Sequence, residues 1–349
     1  MRQVELLSTI RVWIVNEKAD LAQYGPTQMS EGLRLQQVST LRQAVPLPDY
    51  LFERHMPDVD HRTAGEVLSH PAFATVRRSY VVGTLANYEI TRFPGNIQAA
   101  AYRTAAIGVL VCLWSASDPA DRATWPTVAH FKQLVSAFSL AGTRQIDDFI
   151  GRLVRTGDIV LDRVATDGRV RLLRPTDKLL AWDRQTLKSY YDVLQALYPE
   201  PGYGPAVACD LTFQRAHRKG ALAVFPAIGK FLHRNVDLLP FHQMYQGGHI
   251  LMVLTDLALA DPGKPIRERD LIHLRDRFGV SRSHIRNILQ AAETAGLLVR
   301  TEQARQGFVP TPRGLTAVDI FIANTLAAHD LTYRLAFHEM GRDVCAPLR

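Results

Sequence analysis

The side chains whose types and spacing best suit chemistry lie between residues 281 and 290. All of them can exchange hydrogen bonds, and the charged members are arginines: Ser281, Arg282, Ser283, His284, Arg286, Asn287 and Gln290. In the major groove of double-stranded DNA, arginine forms paired hydrogen bonds with guanine, and asparagine or glutamine does so with adenine. The cluster therefore predicts a surface that reads base edges.

These polar side chains need a helix that turns them outward. Apolar residues recur among them at helical spacing: Ile285, Ile288, Leu289 and Ala292. This spacing predicts a helix over residues 282–295 with an apolar inner stripe. Ser281 suits the N-cap, and Gly279 suits a tight turn after a preceding helix over residues 267–277. The two helices form a helix-turn-helix pattern, whose second helix contacts bases with its first turns.

A short hairpin follows the second predicted helix. Gly296 ends that helix, and two strands are expected on either side of a turn at residues 304–307. Arg300 and Arg305 lie in this hairpin and are also predicted to contact DNA, since the arginine side chain suits phosphates. A helix-turn-helix followed by such a hairpin predicts a winged helix.

The same pattern occurs earlier in the chain. Residues 141–160 align without a gap onto residues 280–299, and the residues before and after them correspond with small insertions. Element order, apolar spacing and punctuation by Gly and Pro all agree, which is typical of a duplicated unit.

The first copy has a different outward face. Its predicted DNA contacts are Thr143, Arg144, Gln145 and Arg152 of the second helix and Arg163, Arg169 and Arg171 of the hairpin. Asp147 and Asp148 replace Arg286 and Asn287, and phosphates repel aspartate, although aspartate can accept a hydrogen bond from cytosine. The first copy is therefore expected to position the DNA backbone or to face a protein. The alternative is that the first copy is a duplicated unit kept only for packing within the protein.

Residues 280–298 resemble the recognition helix and first wing strand of bacterial winged-helix regulators. Long flanking helices make the MarR-type group the nearest comparison. The resemblance implies a transcription regulator. Two units in one chain depart from the usual MarR-type plan, in which two identical chains pair.

The expected fold is mainly α with small β-hairpins, in which two winged helix-turn-helix units in tandem are joined and flanked by long helices. Residues 1–95 are assigned to an N-terminal helical or irregular region, and residues 96–198 to the first unit. Residues 199–245 are assigned to a linker and leading helix, and residues 246–349 to the second unit with its long C-terminal helix. A helix in residues 77–90 is expected to pack on the first unit.

Charge and cysteine usage agree with this interpretation. The net charge of +7 favours a polyanionic partner. Cys112, Cys209 and Cys345 lie far apart, which argues against a disulfide framework and a zinc finger and fits a reducing cytosol. The N-terminus lacks the pattern of a signal peptide, and the longest apolar run, residues 105–114, is too short to span a bilayer. We therefore expect no membrane partner and a cytoplasmic, nucleoid-associated protein in a bacterium.

No motif indicates an enzyme. The glycine-rich phosphate and dinucleotide motifs and the serine-hydrolase motif are missing from the sequence. His338 and Glu339 begin a zinc-protease pattern that lacks its final histidine, and Asp58, Asp60 and His61 fit a solvated loop better than a metal site. The sequence therefore predicts no catalytic, cofactor or metal site.

Two alternatives concern partners. Tandem winged helices also occur in replication initiators and chromosome-organising proteins, where one unit can bind protein, and the acidic pair of the first copy fits that role. The predicted final helix carries an apolar stripe, Val318, Phe321, Ile322 and Leu326. We expect the chain itself to cover most of this stripe, with a homodimer through the long helices as the alternative.

Overall fold

The computed structural model describes residues 45–90, 101–137, 141–165, 167–262, 264–301 and 307–341. Most of these residues are helical, and the strands form two small antiparallel sheets. The prediction of a mainly α chain with small β-hairpins is thereby confirmed. The first described elements are a 3-10 turn (Asp49–Phe52), α1 (Ala64–Ser69) and α2 (Phe73–Ala86).

The first repeat segment, residues 101–197, contains four helices and a hairpin. They are α3 (Ala101–Ala116), α4 (Val128–Ala137), α5 (Thr143–Arg155), β1 (Ile159–Val164), β2 (Asp167–Pro175) and α6 (Asp177–Leu197). A 3-10 turn (Arg122–Thr124) lies between α3 and α4. Strands β1 and β2 pair in antiparallel fashion, and Thr127 bridges to Leu172 on the outer side of β2.

The connecting helices, residues 204–243, join this segment to the second one. They are α7 (Gly204–Val207), α8 (Leu211–Ala221), α9 (Phe225–Arg234) and α10 (Leu239–Gln243), with a 3-10 turn (Leu222–Val224) before α9. This stretch was expected to be a linker with one leading helix. It differs because its prolines stand in the first turns of α7, α9 and α10, where a missing N–H costs the helix nothing.

The second repeat segment, residues 247–339, runs through the same order of elements. It contains α11 (Gly247–Ala260), β3 (Ile266–Arg267), α12 (His273–Phe278), α13 (Arg282–Thr294), β4 (Leu298–Thr301), β5 (Gly307–Pro310) and α14 (Pro312–Glu339). A 3-10 turn (Glu268–Leu271) precedes α12. The three strands form a sheet with β5 in the centre. Strand β3 pairs with the second strand of this hairpin, as Thr127 bridges to the second strand of the first hairpin.

The two segments also repeat a set of capping contacts. Gly157 and Gly296 end α5 and α13 with positive φ angles of 69° and 72°, a conformation that glycine adopts without strain. The hydroxyl of Thr176 donates to the Gly157 carbonyl over 2.9 Å, and that of Thr311 donates to the Gly296 carbonyl over 2.8 Å. Each threonine also caps the long helix that follows it. The same residue types therefore close each segment in the same way.

Helix α8 holds the two segments together. It packs on α3 of the first segment and on α14 of the second. Helix α2 was expected to pack on the first unit, and it does contact α6, but it also contacts α11 and α14. One apolar core lies within the first segment, and a larger one joins the N-terminal helices, α6 and the second segment.

The apolar stripe of α14 lies inside the chain. Val318, Ile322 and Leu326 are buried, and Phe321 packs partly buried against the larger core. The expectation that this stripe is covered within its own chain agrees with the structure. The stripe leaves little apolar surface for a second copy.

A buried ion pair links α6 to α8. The Asp183 carboxylate accepts two hydrogen bonds from the Arg218 guanidinium, at 2.5 and 3.1 Å, and a third from the Gln214 amide at 2.7 Å. Asp183 is 1% exposed. The pair is therefore shielded from water, and each charge depends on the other.

We predict that Asp183→Ala lowers the free energy of unfolding by about 3–5 kcal/mol, because it leaves Arg218 buried without a counter-charge. Asp192→Ala is the control, since its ion pair with Lys188 is exposed on the same helix, and such pairs contribute about 0.3–0.5 kcal/mol. Urea denaturation of both variants measures the difference. Similar losses in the two variants would contradict the stated role of the buried pair.

Candidate nucleic-acid interface

Helix α13 presents one polar face to solvent. Its inner residues Ile285, Ile288, Leu289 and Ala292 are buried, as their spacing predicts. The opposite side is exposed, and we call it the reading face: Arg282, Ser283, Arg286, Asn287 and Gln290. The structure thus brings five of the predicted DNA contacts together on the first two and a half turns of one helix.

The start of α13 is fixed by its cap and by the turn before it. The Ser281 hydroxyl accepts the His284 N–H over 3.1 Å, so Ser281 is the N-cap as predicted. Gly279 ends α12 with a φ angle of +65°, which allows the chain to turn sharply. The buried Val280 anchors the turn. The first residues of α13 therefore project outward from a fixed position.

An acidic side chain that the sequence analysis did not single out holds the two arginines of the reading face. Glu268, in the turn before α12, forms ion pairs with the Arg282 and Arg286 side chains, the latter over 3.3 Å. Both arginines remain more than 60% exposed, and Glu268 is 22% exposed. Hydrogen bonds from Arg282, and then from Arg286, lower the pKa of the Glu268 carboxyl. The charge of these two arginines is therefore partly neutralised by a carboxylate of the same chain.

Arg300 of the predicted hairpin also contacts side chains of its own segment. Its Nε lies 2.8 Å from the Glu293 carboxylate, and its Nη2 donates to the Gln290 side-chain oxygen over 3.3 Å. Its guanidinium lies over the Phe308 ring at 4.6 Å. Gln290 is therefore engaged on its carbonyl side. Arg305, predicted from the same hairpin, lies outside the described residues.

The prediction for His284 does not fit its position. Its Nε2 lies 2.6 Å from the Tyr245 carbonyl and donates to it, and the side chain is half-buried. A carbonyl can only accept, so the ring is turned toward the loop before α11. His284 therefore fixes α13 to its own chain and lies off the reading face.

The first segment places its predicted residues less uniformly. Thr143, Arg144 and Gln145 are exposed at the start of α5, and Gln145 accepts the Gly142 N–H over 2.9 Å. Arg152 is half-buried. Asp147 pairs with Lys132 of α4 over 2.6 Å. In this pair the carboxylate lies on the second helix of the helix-turn-helix pattern and the lysine on the first. In the second segment the arrangement is the opposite, because the arginines lie on the second helix and Glu268 precedes the first.

The hairpin of the first segment carries an arginine wing, defined as Arg163, Arg169 and Arg171. All three are exposed, and Arg163 lies directly opposite Arg171 in the register of β1 and β2. Like charges at such paired positions repel each other. Among the described residues none of the three side chains has an acidic partner, whereas the nearby Arg174 pairs with Asp162 over 2.6 Å. An external anion would relieve the repulsion.

A metal site and a membrane-spanning helix are two other kinds of feature to consider in the part of the chain that the structure describes. There, no three His, Cys, Asp or Glu side chains are grouped closely enough to hold a metal ion. Asp60 of the possible metal loop pairs with Arg54 over 3.1 Å, and the His61 ring contacts the Val59 carbonyl. Within the same residues, no helix combines the length and the apolar character needed to cross a bilayer.

We predict that replacing Arg282 and Arg286 by Gln raises the pKa of the Glu268 carboxyl toward its ordinary range. The folded-state pKa of Glu268 is lowered, so its ion pairs stabilise the fold above the unfolded-state pKa. That contribution disappears as the pH falls through the folded pKa. Carbon-13 NMR titration of the Glu268 carboxyl measures the shift. Arg313→Gln, which breaks a separate pair with Asp237, should leave the titration unchanged. An unaltered pKa in the double variant would show that these contacts do not form in solution.

Comparison with known proteins finds no matching family model, no matching curated protein and no matching solved structure. The function is therefore inferred from the residues of this chain and from their geometry.

Proposed function

We propose that this chain is a sequence-specific double-stranded DNA-binding protein that acts in transcription regulation. The observation that carries the proposal is the reading face. It places two arginines, an asparagine and a glutamine on the first turns of a capped helix, after a tight turn and before a hairpin. That is the position from which such side chains reach base edges in the major groove.

The two repeat segments are proposed to be tandem winged helix-turn-helix units. Each has a helix, a strand or bridge, two helices, a hairpin and a long helix, in that order. The repeated glycine and threonine caps support descent from one duplicated unit. Together with the resemblance to MarR-type regulators, this architecture favours a bacterial regulator that acts in the cytoplasm on the nucleoid. One chain supplies two non-identical units, so we expect an asymmetric DNA site.

The two units are proposed to have different tasks. The second unit reads bases with α13, whereas the first contributes its arginine wing to phosphates. Asp147 and Asp148 on α5 disfavour close approach of that helix to the DNA backbone. The unpaired charges of the wing suit phosphate neutralisation, which releases condensed cations and makes binding depend on salt.

Replacing Arg282 and Arg286 by Ala should abolish discrimination between the preferred DNA site and a scrambled site. Each paired contact with guanine contributes about 1–3 kcal/mol of discrimination. Fluorescence anisotropy with both duplexes, the preferred one selected from a random pool, measures the effect. Full discrimination by the double variant would refute the assignment of α13 as the reading helix.

Replacing Arg169 and Arg171 by Ala should instead weaken all duplexes alike. The slope of log affinity against log salt should fall by about 2, since each phosphate contact contributes about 1. Arg184→Ala is the control, because this arginine binds Gln214 within the helical body. An unchanged salt slope would favour the second candidate function, in which the first unit binds a protein. The exposed Asp147 and Asp148 support that candidate, which is typical of replication initiators and chromosome-organising proteins.

Glu268→Gln should raise affinity for scrambled DNA more than affinity for the preferred site. The variant frees two arginines for phosphates, and exposed ion pairs of this kind are worth about 0.2–1 kcal/mol each. An increase of about two- to tenfold for scrambled DNA is expected. Glu53→Gln is the charge-matched control, because Glu53 pairs with Arg234 of α9 and not with an arginine of α13. Equal changes in the two variants would indicate only an effect of net charge.

A further inference from the structure

A cavity of about 250 Å³ lies at the junction of the two repeat segments. Helices α3 and α6 of the first segment line one side, and α9, α10, α11 and α14 line the other. Its wall is mainly apolar and includes the aromatic residues Tyr88, Trp182, Tyr190, Phe225, Phe241 and Phe321. It shares no residue with the reading face or the arginine wing, so the proposed DNA contacts do not account for it.

Histidines line this cavity, and one of them offers it a hydrogen-bond acceptor. His242 lines it from α10, and the His242 Nε2 is buried with no hydrogen-bond partner among the described residues. The Nδ1 of His329 lies 2.8 Å from the Thr325 carbonyl and must donate to it, so its Nε2 carries the lone pair. Buried polar atoms normally have partners. The His329 Nε2 is therefore an acceptor on the cavity wall that has no partner among the described residues, which indicates a missing donor. The His242 Nε2 has almost no accessible surface, so a ligand in the cavity would not reach it.

The charge of the cavity wall is balanced. Arg218 reaches the wall, but Asp183 beside it neutralises its charge over 2.5 Å. Burial lowers the pKa of His242 and of His329 to about 4, and that of His249 to about 3. These imidazoles are therefore neutral at pH 7. An ionic ligand would lose its hydration without gaining a free counter-charge, which favours a neutral one.

Gly108 borders the cavity. It lies inside α3 and lines the cavity, and a Cβ at this position would meet no atom within 4 Å. Glycine weakens a helix interior relative to alanine, and nothing packed against this position requires its absence of a side chain. A larger side chain at this position would therefore extend into open space beside the cavity wall.

We propose that this cavity binds a neutral aromatic molecule of two fused rings that carries one hydroxyl or ring N–H donor. The rings would lie among the aromatic side chains, and the donor would reach the Nε2 of His329. A dry cavity of about 150 Å³ takes up benzene, so 250 Å³ suits a second ring. Water is a poor occupant, because each molecule needs two to four polar partners and the wall is mainly apolar. The inference stands on the cavity alone and does not depend on DNA binding.

Isothermal titration calorimetry with three related probes tests the proposal on the full chain. We expect 2-naphthol to bind, naphthalene to bind about tenfold more weakly because it lacks the donor, and 2-naphthoate to bind least because it is charged. Failure of 2-naphthol to bind would overturn the proposal, and so would tighter binding of 2-naphthoate.

Two variants then locate the site. Gly108→Leu should fill the cavity and abolish 2-naphthol binding, whereas the control Gly108→Ala should raise thermal stability and keep most of the binding. His329→Phe keeps a ring against Tyr190, whose centroid lies 4.1 Å away, but it removes the acceptor. The His329→Phe variant should therefore bind 2-naphthol and naphthalene with equal affinity. This result tests the proposal even if the Gly108→Leu variant does not fold. Undiminished 2-naphthol binding by a folded Gly108→Leu variant would place the ligand elsewhere, and preserved discrimination by His329→Phe would exclude the assigned acceptor.

Discussion

The buried pair of Asp183 and Arg218 is the interaction on which the arrangement of the two segments depends. It ties α6, the last helix of the first segment, to α8, which lies between α3 and α14. A carboxylate removed from water is expensive unless its lone pairs are bonded, and the three hydrogen bonds from Arg218 and Gln214 meet that need. Helix α8 packs on both α3 and α14, so holding it in place also constrains how those two helices face each other. The aromatic cavity is the space left between them.

Much of the fold is predictable because it is local. Apolar spacing predicts α5 and α13, and glycine marks their ends. Other parts depend on contacts distant in sequence. The bridge of Thr127 to Leu172 involves a single residue, which carries no strand periodicity. Only one leading helix is predicted in the connecting stretch, because the prolines of α7, α9 and α10 interrupt its apolar pattern, although proline is compatible with the first turn of a helix.

In the candidate site, too, the local features are predictable from the sequence and the contacts between distant residues are not. The reading face follows from helical periodicity, since residues on one side of α13 must be exposed if the other side is buried. His284 was misplaced because only the tertiary position of the Tyr245 carbonyl decides where its ring points. Glu268 was not singled out because its closeness to Arg282 and Arg286 arises from the fold of the turn before α12. Sequence spacing contains no signal for that approach.

The position of Glu268 has a consequence for how such a protein would find its target. A genome presents a vast excess of wrong sites, and time spent on them limits the search. Arginines paired with an internal carboxylate would bind phosphates less tightly, so the residence time on unrelated DNA would be shorter. At a guanine-containing target, a paired hydrogen bond can compete with the carboxylate and release the side chain. One acidic residue in a turn would then let the protein dissociate quickly from unrelated DNA and remain bound for longer at its target site.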